Sequence, residues 1–183
     1  MTTIYLVRHA HSTYSTDERN RPLSARGKQD AEALVPLFQG VPIDQIYASS
    51  YKRARETVEP LAKNRELMIK EQDAFAERML APGALPNFQE AVRFVWEHPD
   101  ENPYGGESNQ LATQRVVAST MELLRTHQED VLVIGTHGNI MALLMQHFDA
   151  QHDYAFWQTL PMPAVYRLDF EGERYIGSRQ VTR

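Results

Sequence analysis

The sequence predicts an α/β protein, a three-layer α/β/α sandwich with a mostly parallel central sheet. Two observations support this prediction. Short apolar runs alternate with amphipathic segments along most of the chain, as in consecutive strand–helix units. The run VLVIG, Val131 to Gly135, is continuously apolar, which is typical of a parallel strand covered on both faces.

Each element has its own local signal. Apolar, β-branched runs without a breaker predict strands over residues 2–7, 45–49, 67–72 and 131–135. Apolar residues at helical spacing predict helices over residues 25–38, 52–63, 88–95, 108–127 and from 138 onward. We expect Pro36 to kink the first helix or to end it near Leu34, and Pro60 to break the second.

The remaining signals concern the second half of the chain. Ser108 precedes the long helix and can cap its N-terminus. The segment 164–181 alternates in polarity around Glu171-Gly172, which predicts a β-hairpin. We expect residues 1–183 to form a single domain, in which residues 79–108 cover the binding pocket.

Composition excludes several classes of function. The chain has no cysteine, so disulfides, thiolate catalysis and cysteine-based zinc sites are ruled out. Its formal net charge is −5, which argues against nucleic-acid binding. No segment has the length of apolar sequence that a membrane span needs, and the N-terminal segment lacks the features of a signal peptide. We therefore expect a cytoplasmic protein.

Chemically versatile residues follow several of the predicted strands. Arg8 and His9 come directly after the first strand, and His137 directly after VLVIG. Arg53 follows the second strand, and Glu77 follows the third. The carboxyl ends of parallel strands meet at one edge of a sheet, where such folds bind ligands. Guanidinium groups match phosphate oxygens bidentately, so these residues predict a small anion pocket.

The residues flanking the pocket add to this interpretation. Gly138 would let the backbone approach a ligand, and the free N–H groups of the helix that follows favour anions. His9 and His11 could instead form a metal-binding pair. That pattern belongs to barrel hydrolases, which need about 250 residues. We therefore expect no metal and no cofactor.

Five segments in order carry a family resemblance: LVRHAHS, SSYKRARET, AERM, YGGES and GTHGN. Together they resemble the histidine phosphatase superfamily, which includes phosphoglycerate mutases and small phosphatases. The resemblance covers nearly the whole chain and implies a phosphoglycerate mutase-like fold.

The resemblance also implies roles for individual residues. His9 would be the nucleophile that forms a phosphohistidine, and Glu77 would protonate the leaving alcohol. The phosphoryl group would be held jointly by Arg8, Arg53 and His137. Ser12 occupies the family's Ser/Thr position and could donate its hydroxyl, while Ser15 stands where the family has asparagine.

Two assignments have alternatives within the sequence. Arg55 could take the place of Arg53, although the family pattern puts the arginine directly before an alanine. Other carboxylates lie near Glu77 in the chain, namely Glu66, Glu71 and Asp73.

The expected function is metal-independent hydrolysis of a small phosphorylated metabolite through a phosphohistidine. The alternatives are a mutase-type phosphotransferase and a non-catalytic phospho-ligand binding module. The histidine-tyrosine-glycine signature of the mutases is absent after Glu77, where the chain has Arg78-Met79-Leu80. Specificity is expected from residues 79–108 and from the loop 12–22. The protein is expected to be a monomer or a homodimer.

Overall fold

The computed structural model describes residues 1–182, which form one six-stranded sheet with helices on both sides. The strands are β1 (Thr2–Arg8), β2 (Gln45–Ala48), β3 (Ile69–Glu71), β4 (Val131–Thr136), β5 (Ala164–Glu171) and β6 (Arg174–Gln180). The helices are α1 (Ala25–Leu34), α2 (Lys52–Arg65), α3 (Phe88–Glu97), α4 (Asn109–Thr126), α5 (Gly138–Phe148) and α6 (Tyr154–Thr159). Two 3₁₀ turns lie at Val35–Phe38 and Asp73–Phe75.

The strand order across the sheet is β3-β2-β4-β1-β5-β6. The first four strands in this order are parallel, and β5 and β6 run antiparallel to their neighbours. The prediction of a mostly parallel sheet in an α/β fold is therefore confirmed. β1 and β4 are direct neighbours, with Arg8 opposite Thr136, so the residues after both strands emerge side by side.

Alternation along β1 divides the core into two layers. Ile4 and Leu6 pack with buried residues of α4 and α5 on one face of the sheet. Tyr5 and Val7 pack with buried residues of α1 and α2 on the other face. Successive side chains of a strand point to opposite faces, so the apolar sequence of β1 fits a strand covered on both sides.

The effects of the two prolines differ. α1 ends at Leu34, and Pro36 lies in the 3₁₀ turn that follows, as expected. α2 continues through Pro60 to Arg65, so the predicted break is wrong. Burial of Val58 and Leu61 contributes together about 3–6 kcal/mol, which offsets the roughly 3 kcal/mol cost of an internal proline.

The other boundaries agree closely with the sequence patterns. Ser108 caps α4, where its Oγ accepts a hydrogen bond from Leu111 N at 3.1 Å. The C-terminal hairpin turns at Gly172-Glu173, one residue beyond the centre of the predicted alternation. The short helix α6 has no counterpart among the sequence predictions, because six residues are too few to display a helical period.

Residues 79–108, here called the cap segment, pack around a small apolar cluster of their own. Leu80, Ala91, Val92 and Val95 are its buried members. The segment is joined to the start of α5, since Trp96 Nε1 donates to the side chain of Asn139 at 3.1 Å. Coverage of a pocket by this segment stays a prediction.

Within residues 1–182, every helix is too short or too polar to span a bilayer.

Gly27 offers a test of how tightly α1 packs on the loop after β1. A Cβ at this position would lie 2.0 Å from the carbonyl oxygen of His11. We expect Gly27→Ala to lower the free energy of unfolding by about 1–3 kcal/mol through overpacking, despite about 1 kcal/mol of gained helix propensity. Urea denaturation measures this change.

Gly83→Ala is the matched control, because nothing lies within 4 Å of a Cβ there. We expect its effect to stay within about 0.5 kcal/mol. Equal stability of the two variants would contradict the close packing of α1.

Candidate active site

The parallel pairing of β1 with β4 brings two imidazoles together at the carboxyl edge of the sheet. The N–H of His9 donates to the carbonyl of Thr136 at 2.9 Å. The ring centroids of His9 and His137 are 5.2 Å apart, in an edge-to-face arrangement. Both residues are buried. The sequence motifs LVRHAHS and GTHGN therefore contribute to one site.

Hydrogen bonds fix the tautomer of His9. Its Nδ1 lies 2.7 Å from the carbonyl oxygen of Ala10. A carbonyl only accepts, so Nδ1 carries the proton and the lone pair is on Nε2. The N–H of Ala10 donates to the hydroxyl of Thr57 at 3.0 Å, which anchors this turn to α2. The arrangement leaves Nε2 as the nucleophilic atom of the ring.

The surroundings of His9 keep its imidazole neutral. Burial lowers its pKa to about 3, against the raising effect of the Ala10 carbonyl; the nearby charges of Arg53, Arg8 and Arg21 lower it further. Desolvation disfavours the charged form, and neighbouring cations act in the same direction. At neutral pH the ring is therefore unprotonated at Nε2.

Arg53 is the guanidinium that donates a hydrogen bond to the unprotonated nitrogen of His9. Its Nε lies 3.3 Å from His9 Nε2, and its side chain is only 3% exposed. The guanidinium also lies over the ring of Tyr51, 5.2 Å from its centroid. Arg55 instead pairs with Glu71 at the surface, so of the two candidate arginines only Arg53 contacts His9.

The side chain of Arg8, the last residue of β1, reaches the start of α5 and packs against Gly138 there. A Cβ at Gly138 would come within 2.9 Å of the Arg8 guanidinium, so a larger residue there would displace the end of the Arg8 side chain. Gly138 was expected to admit a ligand, and the neighbour it admits in this structure is Arg8. Arg8 Nη1 donates to the carbonyl of Leu160 at 2.5 Å. Burial lowers the pKa of Arg8 while the charge of Glu77 raises it.

His137 is fully buried and has one nitrogen free. Its Nε2 lies 2.8 Å from the hydroxyl of Ser49, which itself accepts from the N–H of Tyr51 at 3.1 Å. In the tautomer that carries its proton on Nδ1, Nε2 accepts the hydrogen of the Ser49 hydroxyl and Nδ1 is a donor. Nδ1 is buried without a partner among residues 1–182. Burial, and then the proximity of His9 and Arg53, hold the pKa of His137 well below its ordinary value.

Glu77 is held at the N-terminus of α5. Its carboxylate accepts from the N–H groups of Asn139 at 3.0 Å and of Ile140 at 2.9 Å. It also accepts from the N–H of Arg78 at 2.9 Å. The N–H groups of Asn139 and Ile140 belong to the first turn of α5 and have no partner within the helix. The Glu77 carboxylate therefore lies at the helix end that directly follows His137.

The three alternatives to Glu77 lie elsewhere. Glu71 pairs with Arg55 at 2.5 Å, and Asp73 lies 3.7 Å from Arg19. Glu66 ends α2 in a left-handed conformation. Among the four carboxylates, Glu77 is the one whose charge acts on Arg8 and Arg53.

Arg115 of α4 secures the loop that carries Glu77, a role that the sequence did not reveal. Its Nη1 donates to the carbonyls of Ala74 at 2.6 Å and Ala76 at 3.0 Å. Its other two nitrogens bind Glu107 bidentately, both at 2.8 Å. The sequence also did not identify Ser49, which contacts His137, or Thr57, which anchors the turn after His9. Serine and threonine are common residues, and only contacts across the fold distinguish these two.

The two serines of the first loop are less closely tied to this cluster. Ser12 pairs with Leu23 in an isolated antiparallel bridge. The hydroxyl of Ser15 accepts from the N–H of Asp17 at 3.1 Å. No hydrogen bond within residues 1–182 joins either side chain to His9, so their phosphate-binding roles stay predictions.

His11 faces away from His9. Its Nδ1 bonds to the hydroxyl of Ser24 at 2.8 Å, in an exposed position. His9 points its Nδ1 to Ala10 and its Nε2 to Arg53. The two imidazoles therefore bond to different partners.

Unused donors characterise the interior of the site. Arg8 Nε, Arg21 Nε and His137 Nδ1 are buried and lack hydrogen-bond partners within residues 1–182. Buried polar groups are normally satisfied, so unpaired donors of this kind are suited to an anionic ligand. The geometry combines a neutral imidazole with cationic groups, as needed to transfer and stabilise a phosphoryl group.

Comparison with known proteins places this site in context. The 8-oxo-(d)GTP phosphatase of Mycolicibacterium smegmatis is 35% identical over 83 residues, covering 43% of this chain and 26% of that protein. The match thus spans about a quarter of that relative's length. Phosphoserine phosphatase 1 of Hydrogenobacter thermophilus is 28% identical over 150 residues, covering 75% of this chain and 71% of that protein.

Solved structures share the fold. A mycobacterial glucosyl-3-phosphoglycerate phosphatase superposes with a TM-score of 0.75 at 20% identity, covering 97% of this chain and 96% of that one. The family model described as histidine phosphatase superfamily (branch 1) matches residues 4–180. Because that match spans almost every element around His9 and His137, this chain belongs to the histidine phosphatase superfamily.

Proposed function

We propose that the protein hydrolyses phosphate monoesters of small metabolites through a phosphohistidine on His9, without a metal ion. One observation carries the proposal above all: His9 is buried, its Nδ1 is bound to the Ala10 carbonyl, and its unprotonated Nε2 accepts a hydrogen bond from Arg53 Nε at 3.3 Å. A neutral imidazole is a competent nucleophile, and the cation beside it favours the approach of a phosphoryl group.

The first step transfers the phosphoryl group to the enzyme. The lone pair of His9 Nε2 forms a bond to phosphorus while the bond from phosphorus to the alcohol oxygen breaks. Glu77 takes up a proton from solvent as the substrate binds and supplies it to that leaving oxygen. The hydrogen bond from His9 Nδ1 to Ala10 stabilises the positive charge that the ring acquires.

The second step returns the enzyme to its starting state. Water attacks phosphorus, Glu77 takes the proton from the water, and the bond to His9 Nε2 breaks to release inorganic phosphate. In both steps Arg8, Arg53 and the Nδ1–H of His137 donate to the phosphoryl oxygens. These donors are held in place before the substrate arrives, so little reorganisation opposes the reaction.

The proposed substrate is a small phosphorylated metabolite. Relatives are named for phosphoserine and for 8-oxo-(d)GTP, which supports this class. A net charge of −5 also favours a small ligand over nucleic acid. We assign the choice among metabolites to the cap segment and to the loop 12–22, which borders the phosphoryl site through the contact of Glu18 with Arg53.

His9→Ala tests the nucleophile. We expect hydrolysis of a chromogenic aryl phosphate to fall by at least about 10³-fold, because the residual groups bind the phosphoryl group but cannot accept it. Initial rates in the presence of EDTA measure this effect, and wild-type activity is expected to survive the chelator.

His11→Ala is the matched control, since it removes a second imidazole from the same loop at an exposed position. It is expected to retain nearly full activity. Activity that needs added metal, or that persists in His9→Ala, would refute the proposed mechanism.

Glu77→Gln tests the proton donor. A poor alcohol leaving group needs a proton in the transition state, whereas a nitrophenolate does not. We expect kcat/KM, which covers the steps up to phosphoryl transfer to His9, to fall by about 10²–10⁴-fold on an alkyl phosphate and much less on nitrophenyl phosphate. Steady-state kinetics with both substrates measures the ratio. Equal losses would show that Glu77 only holds the N-terminus of α5.

The neutral state of His9 has a consequence for stability. Its folded pKa of about 3 lies below the ordinary value of about 6.5, so the unfolded chain binds more protons between these values. The free energy of unfolding should therefore fall as pH drops below about 6.5, by up to about 1.4 kcal/mol per pH unit from His9. Urea unfolding of wild type and His9→Gln at pH 7, 6 and 5 measures this slope. Identical slopes for the two proteins would contradict a neutral, buried His9.

A further inference from the structure

A carboxylate of the protein itself bridges two arginines beside His9. One oxygen of Glu18 lies 3.1 Å from Arg21 Nη1, and the other lies 3.3 Å from Arg53 Nη2. Arg53 in turn contacts His9 Nε2 at 3.3 Å. A continuous chain of contacts thus runs from Arg21 through Glu18 and Arg53 to the proposed nucleophile.

Arg21 is not a loose surface arginine. Its side chain is 19% exposed, and its Nε is buried without a partner within residues 1–182. The backbone on its C-terminal side is anchored, since Pro22 accepts from Thr13 N at 2.9 Å and Leu23 N donates to Glu56 at 2.7 Å. A rigid base therefore holds this third guanidinium near the site.

The charge of Arg21 acts directly on the reacting groups. It lowers the pKa of His9 and of His137, after the larger effect of burial on each. It also lowers the pKa of Arg53, which Glu18 raises. This effect agrees with the contacts that join Arg21 through Glu18 to Arg53 beside His9.

The Glu18 carboxylate can leave the two arginines and return to them. Its side chain is 56% exposed, so the carboxylate can move into water at little desolvation cost. Carboxylate and phosphate bind the guanidinium fork in similar geometry. An incoming phosphate can therefore replace the carboxylate without leaving Arg21 or Arg53 unpaired.

We propose that Arg21 is a substrate-binding residue that acts with Arg53 on the phosphoryl oxygens, and that the Glu18 carboxylate holds their place until the substrate displaces it. The inference rests on the proposed phosphoryl chemistry at His9. Glu18 is in this sense an internal competitor of the substrate.

Binding of inorganic phosphate to the full chain, measured by isothermal titration calorimetry at pH 7, tests the proposal without requiring turnover. Glu18→Gln removes the competing charge, and we expect it to tighten phosphate binding by about 10-fold. Arg21→Gln removes a donor, and we expect it to weaken binding by about 10-fold or more.

Two controls separate local contacts from net charge. Arg19→Gln and Asp73→Asn make the same charge changes on a nearby exposed pair, 3.7 Å apart. Both are expected to shift phosphate binding by less than about 2-fold, because exposed charges are screened. Thermal unfolding of each variant shows whether it is folded, and Glu18→Ala provides a second variant at that position.

The outcomes are distinct. Weaker phosphate binding by both Glu18 variants would overturn the proposal, because Glu18 would then be positioning the arginines for the substrate. Arg21→Gln behaving like Arg19→Gln would also overturn it. A third outcome is that the variants shift phosphate affinity as expected but the protein hydrolyses no phosphate ester. That outcome would support the role of Arg21 and Glu18 and would refute the proposed function.

Discussion

The pairing of β1 with β4 is the constraint on which the site depends. These strands are adjacent and parallel, and the N–H of His9 continues their ladder by donating to Thr136. The first residues beyond each strand are consequently side by side, which sets the 5.2 Å separation of the two imidazoles. A shift of one residue in this register would turn one imidazole to the other face of the sheet.

Burial then determines the chemistry of these side chains. His9 and His137 are enclosed with arginines, so desolvation and repulsion both favour neutral rings. The neutral state supplies a nucleophilic nitrogen on one ring and an unpaired donor on the other. Two acidic side chains, Glu18 and Glu77, offset the local positive charge. The site is thus prepared for an anion in a protein whose net charge is −5.

The N-terminus of α5 joins the parts of the site. Gly138 leaves space for the Arg8 guanidinium, and the next two N–H groups of the helix bind Glu77. The Glu77 loop is fixed from its other side by Arg115. One helix end therefore positions the Arg8 guanidinium and the proposed proton donor relative to the same imidazole, and the glycine after His137 leaves space for that guanidinium.

The sequence by itself determined the strand–helix order and the residues at the strand ends, because apolar periodicity and strand-end motifs are local patterns. It located Arg8, His9, Arg53, Glu77 and His137, and the structure brings them to one site. It could not determine that α2 continues through Pro60, since burial of Val58 and Leu61 decides that. Nor could it show that Glu18 bridges Arg21 and Arg53, or that Arg115 holds the Glu77 loop. Most of those interactions join segments that are distant in the chain. Only the tertiary structure decides which of these side chains meet and how far each charge is removed from water.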